Sequence, residues 1–258
     1  MANKQNNYYF QASNTLIYSY HYQTITNNNM VNPIWTFGVL LIPGYQFLDM
    51  AGPVDYLQLH SRDFMSGVPG VTPEILNNAP IINWHFIAQD LNPVNASSGP
   101  PLPPTDTFET APKLDYLLVP GPDPYIVLPA PTTKYIQTVV SDASFKGLLT
   151  VCTGSMAIAQ TGVLDGHKVC SNKVMLRDAA SKGLINHNVT WIGDKRWHQD
   201  GKIWSAAGVT AGIDLAAGFI ATKVSKNATA LAQDAFEYHP NPASPDRFAR
   251  ILKGVDLN

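Results

Sequence analysis

Four short apolar runs, separated by helical stretches, constrain the fold of this chain more than any other feature. The runs lie at residues 37–42, 83–88, 116–119 and 148–151, and the first is closed by Pro43-Gly44. Apolar runs of this length, bounded by turn residues, are typical of strands buried on both faces of a sheet. Because helical stretches alternate with them, the pattern predicts an α/β fold with a mostly parallel sheet.

Other segments predict the organisation around that sheet. Residues 1–34 are polar and rich in Asn, Gln and Tyr, and we expect them to be an extension to a single α/β domain of residues 35–258. Helices are expected over residues 53–59, where Pro53 suits a first helical turn, and over residues 210–223, which have small residues on one face. Residues 195–206 predict a hairpin that turns at Asp200-Gly201. The prolines of residues 93–131 predict rigid loops at the sheet edge.

Composition limits the classes of function. The chain has 258 residues, 45% of them hydrophobic and 14% charged, with 17 Lys and Arg against 19 Asp and Glu. Such a chain can bury a full core, and it has neither the basic patches of nucleic-acid-binding proteins nor the apolar runs of membrane spans. Its start lacks the order of a secretion signal, so we expect a cytoplasmic protein that acts on a small molecule. The seven histidines and two cysteines show no metal-ligand spacing, so neither a metal nor another cofactor is expected.

The segment at 148–162, LLTVCTGSMAIAQTG, carries the strongest indication of chemistry. An apolar strand runs into Cys152, and Thr153-Gly154-Ser155 leads directly into a helix. A nucleophile on such a turn lies at the carboxyl end of the sheet, where the helix N-terminus favours a thiolate. We therefore expect a thiol pKa lowered toward or below neutrality. The alternative is a buried structural cysteine.

The same segment, read on as CTGSMAIAQTGVLDG, resembles the nucleophile elbow of the ThiJ/PfpI family, relatives of the class I glutamine amidotransferases. Three further stretches fit in the right order: FGVLLIPGYQFLDMAGPVDYL at 37–57, LDYLLVPGP at 114–122 and DGKIWSAAGVTAGIDLAAGFI at 200–220. The resemblance implies a flavodoxin-like α/β sandwich, with helices on both faces of the sheet, and a homodimer.

Within that family, the residues around the elbow resemble the isonitrile hydratase-like branch. Asp49 stands where many relatives have a glutamate beside the nucleophile. Like-charge repulsion and burial predict that its pKa is raised, which suits it to donate a proton. A helix N-cap is the alternative role of Asp49. Thr153 matches a threonine that holds a water near the sulfur, with a plain turn residue as the alternative. Gly121 matches the first glycine of an oxyanion-type turn. Pro122 replaces the second glycine and has no N–H, so one donor is missing unless Asp123 or Thr153 supplies it.

A second departure from the family pattern concerns Asn172. It stands where family hydrolases have a histidine on the strand after the elbow helix, and an amide does not titrate near neutral pH. A cysteine protease or amidase is therefore disfavoured, as is a glyoxalase-type enzyme. Gly208 matches a family loop that approaches the active site, and Asp123, Tyr125 and Trp204 are further candidates to line the pocket.

The resemblance thus implies a cysteine-dependent hydratase that needs no metal or nucleotide. Cys152 would attack the terminal carbon of an isonitrile, Asp49 would protonate the adduct or position the water, and Thr153 with Gly121 would hold that water until an N-substituted formamide is released. Two other hypotheses stay open. One is a non-catalytic ligand-binding or oxidation-sensing protein, and the other is a thiol-assisted lyase that acts on aldehyde-like metabolites.

Overall fold

A seven-stranded sheet forms the centre of the protein in a computed structural model, which describes residues 32–257. Its strands are β1 (Ile34–Leu40), β2 (Ile81–Ala88), β3 (Asp106–Thr107), β4 (Tyr116–Val119), β5 (Gly147–Thr150), β8 (Trp197–Asp200) and β9 (Ile203–Ala206). Two shorter strands, β6 (Lys168–Cys170) and β7 (Thr190–Ile192), pair in parallel as a separate small sheet. All four predicted strands are confirmed, with bounds shifted by up to three residues.

The strand order of the main sheet is β3-β2-β1-β4-β5-β9-β8. Neighbouring strands run parallel except β8, which is antiparallel to β9 and confirms the predicted hairpin. The sheet grows in one direction from β1 to β3 and in the other from β4 onward. The loops that follow β1 and β4 therefore lead away from each other at the carboxyl edge of the sheet. Ligands bind at such a point in parallel α/β sheets.

Helices cover both faces of the sheet, as the resemblance implies. They are α1 (Phe47–Gln58), α2 (Arg62–Met65), α3 (Pro73–Asn78), α4 (Ala130–Ser141), α5 (Gly154–Ala159), α6 (Lys173–Ser181), α7 (Ala211–Ala221), α8 (Lys226–Phe236) and a C-terminal 3₁₀-helix at Arg247–Leu252. Buried residues of α1, α7 and α8 form one core, and those of α4, α5 and α6 form the other. In β4, Tyr116 and Leu118 point into the first core while Leu117 and Val119 point into the second, so a continuous apolar run serves both.

The first helix differs from the prediction. It begins at Phe47, and its N-cap position is Gln46, so Pro53 lies inside the helix and the N-cap role of Asp49 is wrong. A proline at this position cannot donate to the carbonyl of Asp49, four residues earlier. Its ring packs instead on α7, where an ideal Cβ on Gly212 would lie 3.2 Å from Pro53 Cγ. The small residues of α7 thus allow the two helices to approach closely.

The C-terminal part contains an element that the pattern did not predict. Helix α8 begins after Ser225, whose hydroxyl accepts a hydrogen bond from the Ala228 N–H. Residues 238–246 form a loop that leads into the 3₁₀-helix. Within residues 32–257, no helix is both long and apolar enough to cross a membrane. Most of the predicted polar extension, residues 1–31, lies outside the described residues.

Candidate active site

Cys152 occupies the turn between β5 and α5, in the conformation expected of an elbow. Its φ is 58°, a left-handed conformation that few residues other than glycine adopt. The surrounding backbone holds it there, because the Cys152 N–H donates to the Ala207 carbonyl at 2.9 Å. On the other side, the Cys152 carbonyl accepts hydrogen bonds from the hydroxyls of Ser171 at 2.7 Å and Ser155 at 3.3 Å. Both serines are fully buried positioning residues that the sequence reasoning missed.

Asp49 reaches the same place from the first turn of α1. Its Oδ2 accepts a hydrogen bond from the Gly121 N–H at 3.0 Å, and its carboxyl group also contacts the Cys152 thiol. The side chain is fully buried, and Oδ1 has no hydrogen-bond partner among the described residues. Burial raises the pKa of Asp49 to about 7, although the bonds from Gly121 and Cys152 oppose the rise. The direction is the predicted one, and loss of water is its dominant cause.

Three donors surround the sulfur of Cys152. Asn172 Nδ2 lies 3.3 Å from Sγ, and the backbone N–H groups of Thr153 and Val209 also contact it. These donors lower the pKa of the thiol, but burial raises it more, and the charge of Asp49 raises it further. The predicted lowering is therefore wrong. The reason is that the residue is only 7% exposed and shares its site with a carboxylate, so water cannot stabilise the thiolate.

Asn172 is oriented by the helix that it begins. It is the N-cap of α6, and its Oδ1 accepts the N–H groups of Val174 at 3.0 Å and Met175 at 3.2 Å. Because the oxygen is committed to the cap, the amide nitrogen faces the sulfur. At the position where the resemblance to family hydrolases implies a histidine, this protein therefore has a hydrogen-bond donor of fixed orientation that does not titrate.

The loop after β4 holds the carboxyl group rather than offering free donors. Since the Gly121 N–H already bonds Asp49, its predicted oxyanion role is not supported by this geometry. Glycine is needed here because a Cβ would lie 2.4 Å from Thr153 Oγ1. The Thr153 hydroxyl donates to the Pro122 carbonyl at 2.6 Å. Asp123 lies instead on an exposed turn, where its carboxylate accepts the Tyr125 N–H at 2.9 Å.

A cavity of about 310 Å³ is lined by Asn172, Gly208 and Val209 among others, and two of these residues, Asn172 and Val209, contact the sulfur. Gly208 is where the resemblance placed it, since an ideal Cβ there would lie 3.5 Å from Asn172 Nδ2. Two other candidates lie elsewhere. The Tyr125 hydroxyl donates to an exposed carboxylate at 2.6 Å, and Trp204 is buried in the core, stacked on a second tryptophan with 6.0 Å between ring centroids.

The described residues offer no ready metal site. Across residues 32–257, no group of three or more His, Cys, Asp or Glu side chains could hold an ion together. The polar groups around Cys152 are instead one carboxyl, one amide and backbone N–H groups. Such a set can bind and polarise a small molecule, and it can move a proton between oxygen and sulfur.

Fold and site together define a parallel α/β protein with a cysteine at a strand-to-helix elbow and a buried carboxyl group beside it. The profile of the DJ-1/PfpI family matches residues 39–222, and the chain belongs to that family. It is 30% identical to the isonitrile hydratase of Pseudomonas putida over 215 residues, which are 81% of this chain and 82% of the relative. It is also 26% identical to the HTH-type transcriptional regulator CdhR of Pseudomonas aeruginosa, covering 72% of this chain and 49% of the regulator.

Solved structures show the same fold. A ThiJ/PfpI family protein from Pseudomonas syringae superposes with a TM-score of 0.66 at 24% identity, covering 86% of this chain and 84% of that protein. Drosophila melanogaster DJ-1beta gives a TM-score of 0.60 at 14% identity, covering 81% of this chain and all of that one. The predicted flavodoxin-like architecture is confirmed.

Proposed function

We propose that this protein is a cysteine-dependent hydratase that converts isonitriles to N-substituted formamides. The observation that carries the proposal is the buried contact between the Asp49 carboxyl and the Cys152 thiol. The relative named isonitrile hydratase supports the same activity and a small-molecule substrate. The homodimer that the resemblance implies stays a prediction.

The pairing of a thiol with a carboxyl group suits the unusual chemistry of an isonitrile. Its terminal carbon must receive both a nucleophile and a proton, so the two groups have to approach the same atom. A carboxyl group with a pKa of about 7 is poised to take the thiol proton and to return it near neutral pH. The fixed amide of Asn172 and the N–H groups of Thr153 and Val209 stabilise the sulfur as negative charge develops on it.

The reaction then proceeds in two balanced steps. Cys152 Sγ bonds to the carbon of R–N≡C while its proton passes through Asp49 to the same carbon, which gives the thioimidate R–N=CH–S. Water next adds its oxygen to that carbon, and Asp49 carries one of its protons to the nitrogen. The C–S bond breaks as the hydroxyl proton returns to sulfur, which releases R–NH–CHO and the thiol. Thr153, whose hydroxyl keeps lone pairs free to accept a bond, is the candidate to hold the water.

Oxidation sensing is supported less well by the same geometry. Peroxide reacts with the thiolate, so sensor cysteines have low pKa values and are accessible. Here burial and the charge of Asp49 both raise the pKa of the Cys152 thiol. The site favours a thiol that is ionised only when a substrate and the neighbouring carboxyl group take part.

Turnover of a panel of alkyl and aryl isocyanides, followed by the formyl proton in NMR, tests the proposal. The wild type should form formamide and Cys152→Ala should not. Cys170→Ala is the matched control, because Cys170 is the second buried cysteine and its thiol makes a long 3.8 Å hydrogen bond to the Lys195 carbonyl. Formamide production by Cys152→Ala at the wild-type rate, or none by the wild type, would overturn the proposal.

A further inference from the structure

The cavity beside Cys152 has walls from two distant parts of the chain. Asn172 and Val209, which both contact the sulfur, line one part of it. Phe248 and Ile251 of the C-terminal 3₁₀-helix form another side. These two residues lie beyond residue 222, where the match to the DJ-1/PfpI family ends. Part of the cavity therefore comes from outside the shared family region.

Buried contacts anchor the C-terminal segment against α6. Lys173, the residue after Asn172, forms an ion pair with Asp246 whose Nζ–Oδ2 distance is 2.5 Å, and the two side chains are only 3% and 2% exposed. Arg177, also on α6, donates to the Ile251 carbonyl at 2.8 Å. Separating a buried ion pair is costly, since it leaves a charge without water or a partner. The C-terminal wall is therefore in place before any ligand arrives.

The cavity offers apolar surface, and its charged groups are already neutralised. Val174 and Phe248 are large apolar side chains that are 57% and 42% exposed, and both line it. Lys173 is paired with Asp246, while the Arg196 guanidinium bonds the Asp214 carboxylate and the Thr210 hydroxyl. An exposed apolar surface around a concave site marks ligand binding. At about 310 Å³ the cavity is near the lower end of small-molecule sites, which suits a substituent of about one ring.

We propose that this cavity binds the uncharged, apolar substituent of the substrate and that Phe248 determines this selectivity. The inference rests on the proposed hydratase function insofar as the substituent is the R group of an isonitrile. It predicts a preference for ring-bearing over small or anionic substrates. Because the lining residues Asn172 and Val209 contact the sulfur, any electrophile that reacts with Cys152 should show the same preference.

Alkylation of Cys152 tests the cavity without relying on turnover. We would measure rates with iodoacetamide, N-benzyliodoacetamide and iodoacetate, each divided by its rate with glutathione, and locate the label by peptide mass spectrometry. The second cysteine should not interfere, because burial raises the pKa of Cys170 to about 12. The benzyl reagent should react about tenfold faster than iodoacetamide after this correction, since its ring leaves water on binding. Iodoacetate should be the slowest reagent.

Variants identify the wall that recognises the ring. Phe248→Ala should abolish the benzyl preference and Phe248→Leu should retain part of it. Val174→Ala, at another apolar residue of the lining, should reduce the preference and provides a second test should Phe248→Ala fold poorly. Phe236→Ala is the matched control, because Phe236 is similarly exposed at 38% but packs on aromatic residues of the other face. It should leave the preference unchanged.

The outcomes separate this inference from the hydratase proposal. An absent benzyl preference, one that survives both Phe248→Ala and Val174→Ala, or fastest reaction with iodoacetate would overturn the cavity assignment. With isocyanides, Phe248→Ala should raise KM for cyclohexyl isocyanide about tenfold with kcat little changed, and should not affect methyl isocyanide. If no isocyanide is turned over while the alkylation preference depends on Phe248, the hydratase proposal fails and the cavity assignment stands.

Discussion

Replacing Asp49 by asparagine should stabilise the folded protein at alkaline pH, although it removes a residue proposed to act in the reaction. Burial raises the pKa of Asp49 from its ordinary value of 3.8 to about 7, so the native state holds this proton more tightly than the unfolded chain does. Between these values the unfolded chain loses the proton first. The contribution of Asp49 to stability is therefore fully present below pH 3.8 and is lost as pH rises through about 7.

The size of the effect follows from the two pKa values. Ionising this carboxyl group in its buried site costs about 4 kcal/mol once the pH is well above 7. Asparagine has nearly the same shape, its oxygen can still accept the Gly121 N–H, and it does not ionise. Any pH-independent difference between the two side chains cancels when two pH values are compared. The gain in unfolding free energy from Asp49→Asn should be about 3 kcal/mol larger at roughly pH 8.5 than at roughly pH 5.

Urea unfolding followed by tryptophan fluorescence provides the measurement, at one protein concentration so that any association stays constant. Asp63→Asn is the control, because Asp63 is an exposed residue of the short helix α2. Its effect on stability should differ little between the two pH values. If the effect of Asp49→Asn is equally independent of pH, the carboxyl group is not held protonated by burial and the reasoning about the site is wrong.

Three further predictions concern the site. Asp49→Asn should lower the pKa of the Cys152 thiol, because the charge of Asp49 raises it. Iodoacetamide should then react faster with Cys152 at about pH 8, while the hydration activity is lost. A slower alkylation would contradict the proposed pairing of Asp49 with Cys152. In the wild type, kcat/KM should rise as pH passes through about 7, where Asp49 ionises, and fall above the thiol pKa, because the active pair carries one proton. The low-pH limb should disappear from any residual activity of Asp49→Asn. Asn172→Ala should lower the free energy of unfolding by about 1 kcal/mol through the lost cap and should raise the thiol pKa. Asn172→Asp should keep the cap and raise that pKa further. Equal stability losses of the two variants in urea unfolding would argue against the capping role.

Much of the fold was predictable because its signals are local. The apolar runs around residues 37–42 and 116–119 predict buried strands wherever they pack, and the run into Cys152 followed by Gly154 predicts the elbow. The position of Pro53 was misjudged because a local rule places proline in a first turn. In the structure, the close packing of α1 on α7 accommodates it inside the helix. Packing against a distant helix cannot be predicted from the residues that are close to Pro53 in the sequence.

The candidate site was predictable in part of its membership but not in its energetics. In the structure, five of the residues singled out in the sequence lie close together: Cys152, Asp49, Thr153, Gly121 and Asn172. The predicted lowering of the thiol pKa was wrong. It was inferred from the helix N-terminus, which is a local feature, whereas the pKa depends on how much water the whole surrounding structure removes from the thiol. Likewise, the hydrogen bond from the Gly121 N–H to the Asp49 carboxyl group was not predicted from the sequence.

The sequence by itself determined the parallel α/β architecture, the elbow at Cys152 and the absence of a titrating side chain at Asn172, because each depends on residue type and near neighbours. Only the tertiary structure decided the protonation of Asp49, the orientation of the Asn172 amide and the presence of Phe248 in the wall of the cavity. These properties arise from desolvation and from contacts between segments far apart in the chain. Desolvation and long-range contacts both depend on all the residues that surround a site in the folded protein. A short stretch of sequence does not include those residues.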